Sequence, residues 1–205
     1  MKKYTLLFWG SMWGICEATV GFVLHRAAVA LPGLPGALMF PMGFFCMAAA
    51  QKATGLRAAP FLIALVAAFI KTANFLLPGM DPIRVANPAL SIILEGLAVA
   101  ALSIPHPASD LVPTFLRVLS MGIMWRALFA VYLGFSSLFA LPAALVTGGA
   151  QTLLHFVVTE SLINSAIIVL LLRAGPIASP KTRRMTGPAP ALVVSVLAVS
   201  LELLL

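Results

Sequence analysis

The chain reads as an all-α polytopic integral membrane protein, and three observations predict that class. Of its 205 residues, 61% are hydrophobic and only 9% are charged, a balance far from that of soluble domains. Apolar runs long enough to cross about 30 Å of hydrocarbon recur along the whole length, and in a bilayer such runs satisfy their backbone groups as helices. The lysines and arginines gather in short turns between the runs, the distribution that a positive-inside bias produces. The net charge of +7 therefore does not argue for nucleic acid, because no phosphate-binding face is formed.

Six transmembrane helices are expected, with a possible seventh C-terminal apolar helix. Span one covers about Tyr4 to Ala30. It follows Met1, Lys2 and Lys3 as a signal peptide would, but its apolar run is too long and lacks a cleavage site, so it reads as a retained span. The Pro/Gly turn from Leu31 to Gly36 ends it. Span two, about Ala37 to Gln51, is short, and Pro41 and Gly43 predict a kinked entry. Span three runs from about Ala58 to Leu77 and span four from about Val85 to Ile104. Ser109 or Asp110 is placed to cap span five, about Leu111 to Leu133. Phe135 to Thr147, broken by Gly134, Pro142, Gly148 and Gly149, reads as an interfacial or re-entrant piece. Span six covers about Ala150 to Leu172. The domain plan is thus 1–175 as the six-helix domain, 176–190 as a basic cytoplasmic linker and 191–205 as an apolar helix, crossing or interfacial.

Orientation tests this count. Six crossings before Arg173 place Lys2 and Lys3, Lys52 and Arg57, and the Arg173 to Arg184 cluster on one side, predicted to be the cytoplasm. The protein is accordingly expected in the cell membrane, multi-pass, with its N-terminus cytoplasmic.

Function must be sought among the polar residues inside the spans, since an ionisable group at membrane depth is costly and faces protein, a partner or a wet cavity. Span one sets Trp13, Glu17, Gly21 and His25 one helical turn apart. Beside them runs a small-residue stripe, Gly10, Gly14 and Ala18, which admits close approach by another helix. With Lys71, Asn74, Asn87, Glu95, Arg126, Gln151, His155, Glu160 and Asn164, most such groups fall at middle-to-outer depth. That distribution predicts an outward-opening polar pocket. The bland alternative is neutralisation in pairs, Lys71 with Glu95 or Arg126 with Glu160. Arg117 and Arg126, nine residues apart, point to opposite sides. Cys16 and Cys46 read as small buried hydrophobes. No metal-ligand spacing, phosphate-binding loop or dinucleotide fingerprint is present, so neither metal nor cofactor is expected and no ATP hydrolysis by the chain itself.

Length, six spans with a cytoplasmic N-terminus, the Gly10/Gly14/Ala18 stripe and the Pro/Gly-rich outer loop resemble the substrate-binding S components of energy-coupling factor (ECF) transporters, which take up vitamins and related micronutrients. The resemblance implies a non-catalytic subunit that captures a small polar solute from outside. Its partners would be a membrane coupling subunit, contacted through Gly10, Gly14 and Ala18, and cytoplasmic ATPases. Substrate-binding candidates are Trp13, Glu17, His25, Lys71, Asn74, Glu95 and His155, with the Leu31 to Gly36 loop as a lid. Two acids and a lysine suit a zwitterionic or cationic heterocycle. Two other classes stay open: an intramembrane enzyme using His155 with Ser137 or Glu160, and an assembly protein whose charges only pair.

Overall fold

The computed structural model describes residues 2–27, 34–104, 110–139, 147–174 and 186–205. Among them are seven helices and no strand. Helix α1 covers residues 2–27, with a π-helical turn at Glu17–Gly21. Helix α2 is Leu34–Thr54, α3 is Ala59–Leu76 and α4 is Pro82–Leu102. Helix α5 is Leu111–Leu138, α6 is Ala150–Ala174 and α7 is Pro188–Leu204. Five of them, α1, α3, α4, α5 and α6, are long and apolar enough to cross a membrane.

Tight turns between α2 and α3 (residues 55–58) and between α3 and α4 (77–81) reverse the chain. Cross-helix neighbours extend the alternation through the bundle. Gly43 on α2 packs on Trp13, and Gly10 and Gly14 on α1 pack on Val66 and Ile70 of α3. Gly96 on α4 packs on Ala64, and Gly122 on α5 packs on Ser161 of α6. One end of the bundle therefore carries Lys2, Lys3, Lys52, Arg57 and Arg173. The other carries the α3–α4 turn and the last turn of α7.

Several boundaries differ from expectation for local reasons. Helix α2 is 21 residues long and keeps Pro41 inside it. A proline at this position removes the N–H that would bond to the carbonyl of Ala37. That carbonyl instead accepts from Asn164 Nδ2 of α6 at 2.6 Å, so the helix is repaired by a neighbour rather than broken. Helix α5 continues to Leu138 through Gly134, so residues 135–138 are not part of a separate piece. The rest of that predicted re-entrant segment, 140–146, lies outside the described residues. Asp81 caps α4 by accepting from the Ile83 amide at 3.0 Å, with Pro82 in the first turn. Asp110 at the start of α5 makes no such side-chain cap; its carbonyl accepts from the Thr114 amide and hydroxyl instead.

Helix α7 is integral to the bundle. Ala191 and Ala198 are fully buried, and with Ser195 and Glu202 they form one stripe at helical spacing. Thr5 Oγ1 donates to Thr186 Oγ1 at 3.2 Å, and Ser11 and Ser195 share a hydroxyl hydrogen bond of 2.8 Å. At about 1.5 Å per residue the helix spans roughly 25 Å.

Candidate functional site

Beside α7, at the end of the bundle that holds the α3–α4 turn, lies a cavity of 270 Å³. Its polar lining is Glu17, Lys71, Asn74, Arg84 and Glu202. Its apolar wall comes from Ala18, Gly21, Phe22, Leu77, Met80, Pro88 and Leu205. Four helices, α1, α3, α4 and α7, contribute. The volume falls just under the roughly 300–1,000 Å³ of sites for drug-sized ligands, so the space suits a small solute.

Glu17, Lys71 and Asn74 are placed by local irregularities. Glu17 opens the π-helical turn of α1, a widened turn that shifts the helix face and recurs at functional sites. The Thr19 hydroxyl, within that turn, donates to the Ile15 carbonyl at 2.7 Å. Glu17 Oε1 accepts from Trp13 Nε1 at 3.1 Å, and Trp13 itself is fully buried. Helix α3 tightens into a 3-10 turn at Thr72–Leu76. In that geometry residues three apart eclipse, so Lys71 and Asn74 project together. Both donate to one oxygen of Glu202, Lys71 Nζ at 2.5 Å and Asn74 Nδ2 at 2.6 Å. The second oxygen, Glu202 Oε2, is buried with no donor, and so is Asn74 Oδ1.

A second polar cluster is built around Arg126, which does not line this cavity. Arg126, fully buried, donates to Ser161 Oγ at 3.3 Å, to the Gly36 carbonyl at 3.1 Å and to Asn164 Oδ1 at 2.5 Å. Its ion pair with Glu160 is 3.4 Å long. The guanidinium stacks over Trp125, 4.4 Å from the ring centroid, and faces Phe156, a cation–π arrangement available to arginine. This knot ties α2, α5 and α6 together. Glu95 is buried with Oε2 lacking a donor, and Trp125 Nε1 and Arg126 Nε are buried without an acceptor.

The structure thus brings together Glu17, Lys71 and Asn74 from the expected set, with Trp13 behind Glu17. Glu95 is buried but does not line the cavity. His155 does not line it either; its side chain is 56% exposed, and Nδ1 sits 3.9 Å from Glu160 Oε1. The side chain of His25 lies outside the described residues, as do residues 31–33 of the proposed Leu31 to Gly36 lid, while 34–36 form the first turn of α2. The Ser137 hydroxyl donates to the Gly134 carbonyl at 2.7 Å. Lys71 pairs with Glu202 rather than Glu95, whereas Arg126 does meet Glu160. Cys16 and Cys46 are free thiols, and among the described residues no cluster of His, Cys, Asp and Glu is set to hold a metal ion.

The small-residue stripe has a different use from the one expected. A Cβ on Gly10 would lie 2.5 Å from Val66 Cβ, and one on Gly14 would lie 3.1 Å from Ile70 Cδ1. Helix α3 already fills that face, and Ala18 lines the cavity. Glu202 is the residue that sequence reasoning missed. Its signal was present, an acid on the same stripe as Ala191, Ser195 and Ala198. Comparison of the chain with protein-family models, with curated proteins and with solved structures finds no match.

Proposed function

We propose that this chain is the solute-binding membrane subunit of a transporter, on the pattern of the ECF S components. In this reading the lysine-rich end faces the cytoplasm of the cell membrane, and the cavity faces outward to capture a small polar micronutrient. The observation that carries it is the cavity itself. Glu17, Lys71, Asn74 and Glu202 converge from three helices on one space at the end of an apolar bundle. Charged groups at that depth are otherwise costly. Two of their oxygens are left without donors, so internal pairing alone does not account for them. Energy would come from partner ATPases through a coupling subunit. Because α3 covers Gly10 and Gly14, that subunit would dock on another face of the bundle.

The test is extraction of purified protein and mass spectrometry of what it releases, compared with Gly21→Val. A Cβ at Gly21 meets nothing closer than 3.7 Å, with Glu17 Oε2 as its nearest neighbour, so valine grows into the cavity without displacing the backbone. The expected result is a solute retained by the natural protein and absent from Gly21→Val at equal monodispersity. Met80→Trp, which narrows the same cavity from the α3–α4 turn, should act alike. A solute retained equally by all three proteins, or by none, defeats the reading.

A further inference from the structure

The charged groups of the cavity wall sort into one pair and two singles. Lys71 and Glu202 meet at 2.5 Å, and Glu202, only 3% exposed, is held by Asn74 as well. That pair is neutral as a unit. An ammonium has three N–H groups, so Lys71 still has donors to offer after serving Glu202. The other charged groups of the lining are Glu17 on α1 and Arg84 in the first turn of α4. Among the described residues neither forms an ion pair. Glu17 accepts from the neutral indole of Trp13, and Arg84 reaches the cavity from its exposed rim. Two helices therefore present a carboxylate and a guanidinium, opposite in sign, to one space.

Resting on the solute-binding reading above, we infer that the cavity takes a small zwitterion of the aliphatic amino-acid type, its carboxylate toward Arg84 and its ammonium toward Glu17. A solute that fills this space strips water from both walls, and a charge that loses water without gaining a counter-charge is costly. A simple cation offsets Glu17 but meets Arg84 and the remaining N–H groups of Lys71. A simple anion is matched by those two and faces Glu17. A neutral solute leaves both single charges without a partner. A molecule carrying both signs offsets both. Guanidinium and carboxylate pair in bidentate fashion, and hydrogen bonds between opposite charges are the strong ones. The hydrocarbon part would lie against Phe22, Leu77 and Met80 of the apolar wall. Arg84 thereby becomes a recognition residue, the counterpart of Glu17 across the cavity.

The test is isothermal titration of the full chain in lipid nanodiscs with two isomeric zwitterions, leucine and ε-aminocaproate, which hold the same charges close together and far apart. Each is compared with its singly charged halves: isocaproate and isopentylammonium for leucine, hexanoate and hexylammonium for ε-aminocaproate. Saturable binding is expected for at least one zwitterion, at least tenfold tighter than for either of its halves. Glu17→Gln and Arg84→Gln should each weaken that zwitterion at least tenfold. They should act oppositely on the halves, Glu17→Gln tightening the anion and Arg84→Gln tightening the cation. A merely structural role would weaken every probe alike. A half that binds as tightly as its zwitterion, no saturable binding of either zwitterion, or variants of parental monodispersity that weaken all probes equally overturns the assignment. The wild-type panel decides without the variants should either fail to fold. A retained solute that Gly21→Val excludes, found together with failure of both zwitterions, sinks the zwitterion class alone and leaves the cavity's role standing.

Discussion

Asn164 should matter to stability chiefly because of a proline on another helix. Its side chain makes three hydrogen bonds: Nδ2 to the Gly36 carbonyl at 3.1 Å, Nδ2 to the Ala37 carbonyl at 2.6 Å, and Oδ1 from Arg126 at 2.5 Å. Hydrogen bonds between membrane helices average about 0.6 kcal/mol and reach about 1.7 kcal/mol. Three of them give about 2 kcal/mol. Asn164→Ala also strands the Ala37 carbonyl, since Pro41 has no N–H to offer it, and a buried group left unpaired costs about 1–3 kcal/mol. The expected loss is therefore about 3–5 kcal/mol. Pro41→Ala restores a backbone donor at the right spacing. In that background Asn164→Ala should cost about 1 kcal/mol less, because the carbonyl keeps a partner. The assay is equilibrium unfolding of all four proteins in mixed micelles against SDS, followed by tryptophan fluorescence. Independent sites add within about 0.3–0.5 kcal/mol. If Asn164→Ala costs the same in both backgrounds within that margin, the side chain is not standing in for the missing N–H.

Three further outcomes are expected. Gly36→Ala should lower stability by about 1–3 kcal/mol, because its Cβ would lie 2.1 Å from Glu160 Oε2 and drive the carboxylate off Arg126; an unfolding midpoint equal to that of the parent would refute this. Lys71→Met alone leaves Glu202 buried and uncompensated, a loss of about 3–5 kcal/mol, while Lys71→Met with Glu202→Met should recover most of it; strict additivity in the same titration would show the pair is not coupled. At the α3–α4 contact, Gly96→Leu should reduce the monodisperse fraction on size exclusion, since its Cβ would sit 2.3 Å from Ala64 Cβ and 2.9 Å from the Pro60 carbonyl. Gly134→Leu, which meets open space, should leave elution unchanged, and indistinguishable behaviour of the two would contradict the packing described.

The class of the protein was legible in the amino-acid order, because burial of backbone polar groups in lipid admits few solutions and long apolar runs take the helical one. Arg117 and Arg126 were separable from spacing alone: 900° of helical rotation places them on opposite faces, and the first is exposed while the second is buried. The chemistry of Glu17, Lys71 and Asn74 was likewise visible, since ionisable and amide groups among apolar residues stand out wherever they fall. What periodicity did not carry was partnership. Lys71 and Glu202 are 131 positions apart, and no local rule says that an acid on the last helix, rather than Glu95, will reach that ammonium. The same holds for Pro41, which reads as a break until Asn164 arrives from 127 residues away to satisfy Ala37. It holds also for Gly10 and Gly14, whose smallness announces a close neighbour without saying whether that neighbour belongs to the same chain. Local sequence set which segments are helical and which side chains are expensive to bury. Only the packing of α3 and α7 against α1 decided which of those side chains offset one another, and which buried oxygens were left without a donor.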